Sequence, residues 1–144
     1  MPKRVDQVRA LGIDLGGKRI GVAISDNDGK VATPLQVLTR SKNIKEDHKK
    51  ISDLVSEWEA ECVVVGMPYS LNGDKGPAAK AVEEEVQELA SIVSVPVDIH
   101  DERLTTVIAA QELSLQGIDS KRQREVIDQV AASVILQSWL DNRT

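Results

Sequence analysis

The sequence predicts an α/β fold: a mixed five-stranded sheet, three antiparallel strands then two parallel ones, with helices on both faces. Three observations lead there. Short β-rich runs broken by glycine turns fill the chain up to Thr39. Beyond Asn43 the apolar spacing changes from that of a strand to that of a helix. Helical stripes then alternate with short valine-rich runs, the pattern of parallel strands joined by helical crossovers.

Val8 to Asp14 reads as the first strand, Gly16-Gly17 as a turn, and Ile20 to Ser25 as its hairpin partner. Asn27-Asp28-Gly29 is a second turn, and Val31 to Thr39 continues as a third antiparallel strand despite Pro34. Ile44, Ile51, Leu54, Val55 and Trp58 recur at helical spacing, and Asn43 with Glu46 has the form of a capping box. Glu61 to Gly66 is a short buried strand, and Met67 to Gly76 a loop. Pro77 opens a helix whose apolar stripe is Ala78, Ala81, Val82, Val86, Leu89, Ala90 and Val93. Val95 to Ile99 is the last strand. Thr105 or Thr106 caps a short helix ending near Gly117, and Ser120 with Gln123 opens a final helix to about Leu140.

The chain has 144 residues, 41% hydrophobic and 28% charged, the size and composition of one globular domain spanning 1–144. No apolar run is long enough to span a bilayer. Met1 to Asp6 carries charge without the apolar core of a signal peptide. The single cysteine, Cys62, excludes an internal disulfide and reads as a small buried hydrophobe. A cytoplasmic protein with no membrane partner is the expectation. A net charge of −5 argues against nucleic-acid binding by bulk charge but leaves room for a local basic face. Aromatics are confined to Trp58, Tyr69 and Trp139, so nucleic-acid contacts would rest on phosphates and shape.

Asp14 ends the first strand, where ligand sites of α/β sheets gather. Taken alone it could equally be a turn aspartate bonded to its own backbone. The glycines after it allow a tight turn, and Lys18 and Arg19 could meet a phosphate or merely sit in solvent. Asp128 lies in the final helix, on one face with Ala131, Ala132 and Ile135. A carboxylate among apolar and small residues is expensive to bury without a partner. Asp101-Glu102-Arg103 follows the last strand, and either acid could join a site there. His100 is a buried histidine or a ligand, and His48 reads as a surface residue of a lysine-rich helix. Asp14, Glu102 and Asp128 stand on three elements that this topology can bring to one sheet edge. Clustered carboxylates repel unless a cation joins them, and hard oxygen donors select Mg²⁺ or Mn²⁺. Two such ions about 3.5–4 Å apart can activate water and stabilise both oxygens of a phosphodiester displacement.

The chain resembles the YqgF/RuvX family of pre-16S rRNA nucleases, also described as Holliday-junction-resolvase-like proteins. The resemblance covers nearly the whole chain. It rests on Gly12-Ile13-Asp14 with Lys18 to Asp26, on Val65-Gly66-Met67-Pro68 with Asn72-Gly73 and Gly76, on Asp101 to Thr106, and on Asp128 with Ala131-Ala132 and Ile135-Leu136. It implies a ribonuclease H-like fold and a divalent-metal-dependent nuclease that finishes the 5′ end of small-subunit ribosomal RNA. It further implies structured nucleic acid as partner, with precursor ribosomal RNA and the ribosomal subunit foremost. Asp14, Glu102 and Asp128 would be the catalytic and metal-binding acids. Lys18, Arg19, Arg103 and Arg124 are the candidate substrate contacts. Many relatives in the wider superfamily place their second acid at the end of the strand after the first helix, where this chain has Gly66-Met67. Three other readings compete: a junction-resolving DNA endonuclease, an ATP-binding fragment of the actin and sugar-kinase type, and a non-catalytic ribosome-assembly binding module. The sequence does not give the oligomeric state.

Overall fold

The computed structural model describes residues 8–70, 72–104 and 120–143, and of 104 and 120–129 the backbone alone. In chain order the elements are β1 (Ala10–Leu15), β2 (Arg19–Ser25), β3 (Ala32–Thr39), α1 (Ile44–Glu57), β4 (Cys62–Met67), α2 (Pro77–Ile92), β5 (Val97–Asp101), a short 3₁₀ turn (Glu102–Leu104) and α3 (Ser120–Asp141). The sheet order is β3-β2-β1-β4-β5. β1 and β3 pair antiparallel with β2, and β4 pairs parallel with β1 and β5. The predicted sheet is therefore found. The proposed short helix after Thr105 and Thr106 lies outside the described residues.

The sheet is apolar on both faces, and strand alternation sorts its side chains between two cores. Leu11, Ile13, Val22, Val63 and Val65 join Ile51, Leu54 and Val55 of α1 and Val82 and Leu89 of α2. Ala10, Ala23 and Val64 join Ala132, Ile135, Leu136 and Trp139 of α3. The α3 face is made of small residues, and Gly12 carries this furthest. A Cβ there would stand 2.7 Å from the Leu136 Cβ and 3.0 Å from the Ala132 carbonyl oxygen. Absent side chains thus bring α3 almost onto the backbone of β1.

Three local expectations are corrected. Asn43 caps α1, but its side chain accepts from the Lys45 N–H at 3.0 Å, and Glu46 is exposed. In α2 the buried alanine is Ala79, while Ala78, Ala81 and Ala90 face solvent, because larger Val82 and Leu89 fix which side turns inward. β5 begins two residues later than expected. Pro96 has no N–H to give a ladder, and only its carbonyl is used, by the Val63 N–H at 2.9 Å.

Candidate active site

Asp14 alternates with Ala10 and Gly12 along β1, so the pleat puts it on the α3 face. Ile13 is in register with Val65, which brings Asp14 level with Gly66 at the C-terminal end of β4. Met67 in turn is in register with Asp101, the last residue of β5. Three strand ends therefore meet at one edge, and the chain leaving β5 turns there into the 3₁₀ turn that starts at Glu102.

Glu102 lies across Gly66. A Cβ on Gly66 would stand 2.8 Å from Glu102 Oε1 and 2.9 Å from its Cγ, with Ile135 Cδ1 at 2.6 Å. The missing side chain of Gly66 is the space that the Glu102 side chain occupies. From there Glu102 hydrogen-bonds Asp14. Burial, then the negative charge of Asp14 and that hydrogen bond, push the Glu102 carboxyl up to about 7. Near pH 7 the Glu102 carboxyl is therefore protonated about half of the time.

The neighbouring acid is used differently. Asp101 accepts from Arg103 Nε at 3.1 and 3.0 Å and from Arg103 NH2 at 2.6 Å. Its carboxyl is held below the ordinary range, chiefly by those bonds. Of the two adjacent acids where β5 ends, Glu102 faces Asp14 and Asp101 faces Arg103. The Arg103 guanidinium also lies 5.7 Å from the centre of the Tyr69 ring.

His100 is buried, and its Nε2 lies 2.8 Å from Ser138 Oγ on α3. Burial lowers its pKa, which keeps the imidazole neutral. Cys62 opens β4 at the opposite end from Gly66, and burial pushes its thiol up to about 11. Near Asp14 the donors are thus carboxylate oxygens. Lys18 is exposed at the β1–β2 hairpin tip, and Arg19 is half-buried at the start of β2.

The side chains of Asp128 and Arg124 lie outside the described ones, but the course of α3 is clear. Trp139 and Leu140 share a cluster with Val8 and Ala10, while Ala132 and Leu136 lie at Gly12. Toward its N-terminus α3 therefore runs toward the end of β1 that carries Asp14. From Ala132 back to Asp128 is one turn, about 6 Å of helix. From Gly12 on to Asp14 is about 6.6 Å of strand. The two displacements match in length and direction, and Asp128 falls on the register of buried Ala132 and Ile135. Among the described residues no three potential ligands form a metal-binding group.

His48 is the clearest departure from expectation. It is wholly buried, not a surface residue. Its Nε2 lies 2.8 Å from Glu85 Oε2, and Glu85 also pairs with Arg40. The signal was its spacing: four after Ile44, three before Ile51 and seven before Val55, on the apolar face of α1.

A mixed sheet of this order, with Asp14 at the C-terminal end of a central strand and Glu102 just beyond the edge strand β5, is the architecture of a ribonuclease H-like nuclease. The family model described as RuvX, Holliday junction resolvase, matches residues 8–142, and the chain belongs to that family. A protein of Rhodococcus opacus (strain B4) named "Putative pre-16S rRNA nuclease" is 47% identical over 140 residues, covering 94% of this chain and 79% of the relative. A relative of the same name from Streptomyces coelicolor is 46% identical, covering 96% of this chain and 83% of its own length. Among solved structures, T. thermophilus RuvC in complex with a Holliday junction substrate is similar in fold. Its TM-score is 0.58 at 16% identity, covering 93% of this chain and 95% of that one. No helix among the described residues is long and apolar enough to cross a membrane.

Proposed function

We propose that this chain hydrolyses phosphodiester bonds in structured RNA at a divalent-metal site formed by Asp14, Glu102 and Asp128, and that it matures the 5′ end of pre-16S ribosomal RNA. The observation that carries the reading is the Glu102 side chain lying over Gly66 to meet Asp14. A buried carboxyl pair that resists losing its last proton gains nothing for the fold. A divalent cation held by the pair would take that proton's place and relieve the repulsion. The donor set fits Mg²⁺ or Mn²⁺: hard oxygens, with the nearby imidazole turned to Ser138 and the thiol at the far end of β4. Asp14 and Glu102 would hold the ion, and Asp128, one turn before Ala132, would be the third acid. Such an ion, when bound, would supply a Lewis acid that makes water a better nucleophile toward phosphorus.

The chain's own residues do the rest. Gly66 and Ile135 confine Glu102, so that its carboxyl meets Asp14. Lys18, Arg19, Arg103 and Arg124 meet phosphates flanking the scissile one. The names of the relatives support the choice of RNA, and soluble cytoplasmic action beside the ribosomal subunit follows from that choice.

The test is cleavage of a precursor 16S rRNA fragment beside a four-way DNA junction, each in Mg²⁺, Mn²⁺ and chelator. Metal-dependent trimming of the RNA by wild type, lost in Asp14→Asn, is expected. Cutting of the junction with the RNA untouched would move the substrate to DNA. An RNA that is bound but never cut would make the chain a binding module.

A further inference from the structure

We infer that Arg40 is a positioning residue for the hairpin tip that joins Asp14 to Lys18, with Glu85 and His48 holding its guanidinium. Arg40 directly follows β3 and grips both sides of Gly17. Its backbone N–H donates to the Lys18 carbonyl at 2.9 Å, and its Nε to the Gly16 carbonyl at 2.7 Å. Within the tip itself, the Gly16 N–H is shared between the Asp14 carbonyl at 3.1 Å and the Arg19 carbonyl at 3.0 Å. Among the described residues, chain neighbours aside, nothing lies within 4 Å of where a Gly17 Cβ would be. Arg40 thus braces the tip through both carbonyls that flank Gly17.

The rest of the guanidinium is committed from behind. NH1 and NH2 donate to the two Glu85 oxygens at 2.8 and 2.7 Å, a bidentate pair. His48 bonds the same Oε2 from α1. Burial would raise the Glu85 pKa, yet the bonds to Arg40 and His48 hold it below its ordinary value. Asp47, also buried, accepts from the Ser41 N–H at 2.9 Å and fixes the residue after Arg40. α1, α2 and the end of β3 thus meet on one planar group whose Nε–H points at a turn carbonyl two residues from Asp14. An ion pair serving only to tie the end of β3 to α2 needs no such third bond. A lysine keeps the charge but cannot fork to Glu85 and reach Gly16 together.

For its kinetic arm the inference rests on the proposed nuclease reading; its structural arm does not. Wild type, Arg40→Lys, Glu85→Gln, Lys18→Ala and the Lys18→Ala/Arg40→Lys double variant would be compared. In metal-free protein, exchange of the Gly16 amide is expected to quicken about tenfold in Arg40→Lys, with the α1 amides of Ile51 to Val55 unchanged. Cleavage of the RNA fragment should slow by about 10- to 100-fold, the range a displacement of about 1 Å produces. Lys18→Ala should then add little in the Arg40→Lys background, because the tip it acts from is already misplaced. Glu85→Gln should move each readout the same way by less, and it carries the test if Arg40→Lys does not fold. Unchanged Gly16 exchange in the folded variants, or a Lys18→Ala effect undiminished in the double variant, overturns the inference. Wild type that exchanges as expected but never cuts RNA would sink the nuclease reading and leave the role of Arg40 at the tip intact.

Discussion

Glu102 occupies the volume that a side chain at Gly66 would fill, its Oε1 2.8 Å from where a Cβ would be. The second acid of the proposed site would thus come from just beyond β5, across the gap that Gly66 leaves in β4. Gly66→Ala should push the flexible Glu102 side chain and the tip of Ile135 aside at a modest price of about 1 kcal/mol in stability. Glu102 would lose its seat beside Asp14, and cleavage should fall far more than the melting temperature. Equal, large losses of both would make Gly66 a packing residue only.

Glu102 also sets a pH dependence. Its carboxyl is raised to about 7 in the folded protein by burial and by Asp14. The folded state therefore binds a proton that the unfolded chain releases near the ordinary glutamate value of about 4.3. Below that value this contribution to stability is fully present, and it is lost as pH rises through about 7. Melting curves in chelator should show wild type losing stability between about pH 4.3 and 7 relative to Glu102→Gln, which has no carboxyl there to ionise. Parallel pH profiles for the two proteins would remove Glu102 from a strained pair.

Asp128 is placed by register alone, so its test must separate a ligand from a bystander. If Asp128 completes the proposed site, Asp128→Asn removes one of three neighbouring negative charges. It should stabilise the metal-free fold by about 1 kcal/mol or less while abolishing cleavage. Stability and activity moving apart is the mark of a functional acid. A variant that cuts at the wild-type rate ends the three-acid site, whatever its melting temperature does.

How much of this was legible in the sequence depended on range. Asp14 could be read because strand, carboxylate and glycine turn are contiguous. The sheet could be read because each strand carries its own period. Asp101 and Glu102 could not be told apart by adjacency: the choice depends on which side chain the 3₁₀ turn swings over Gly66. The one hint was a glycine closing a valine run. His48 was misread because the lysines around it outweighed its place in the Ile44–Ile51–Val55 stripe. The Arg40–Glu85 pair spans 45 residues, and no local pattern announces such a contact. Even so, Glu85 stands three after Val82 and four before Leu89, an acid on an apolar face in want of a partner.

The central claim is that Asp14 and Glu102 hold a divalent cation in place of a shared proton. Calorimetric titration with Mn²⁺ at pH 6, repeated in buffers of different ionisation enthalpy, tests it most directly, because it counts protons as well as ions. Wild type should bind weakly and release close to one proton per ion, and Asp14→Asn should bind far more weakly still. Identical binding by both proteins, with no proton released, would contradict it.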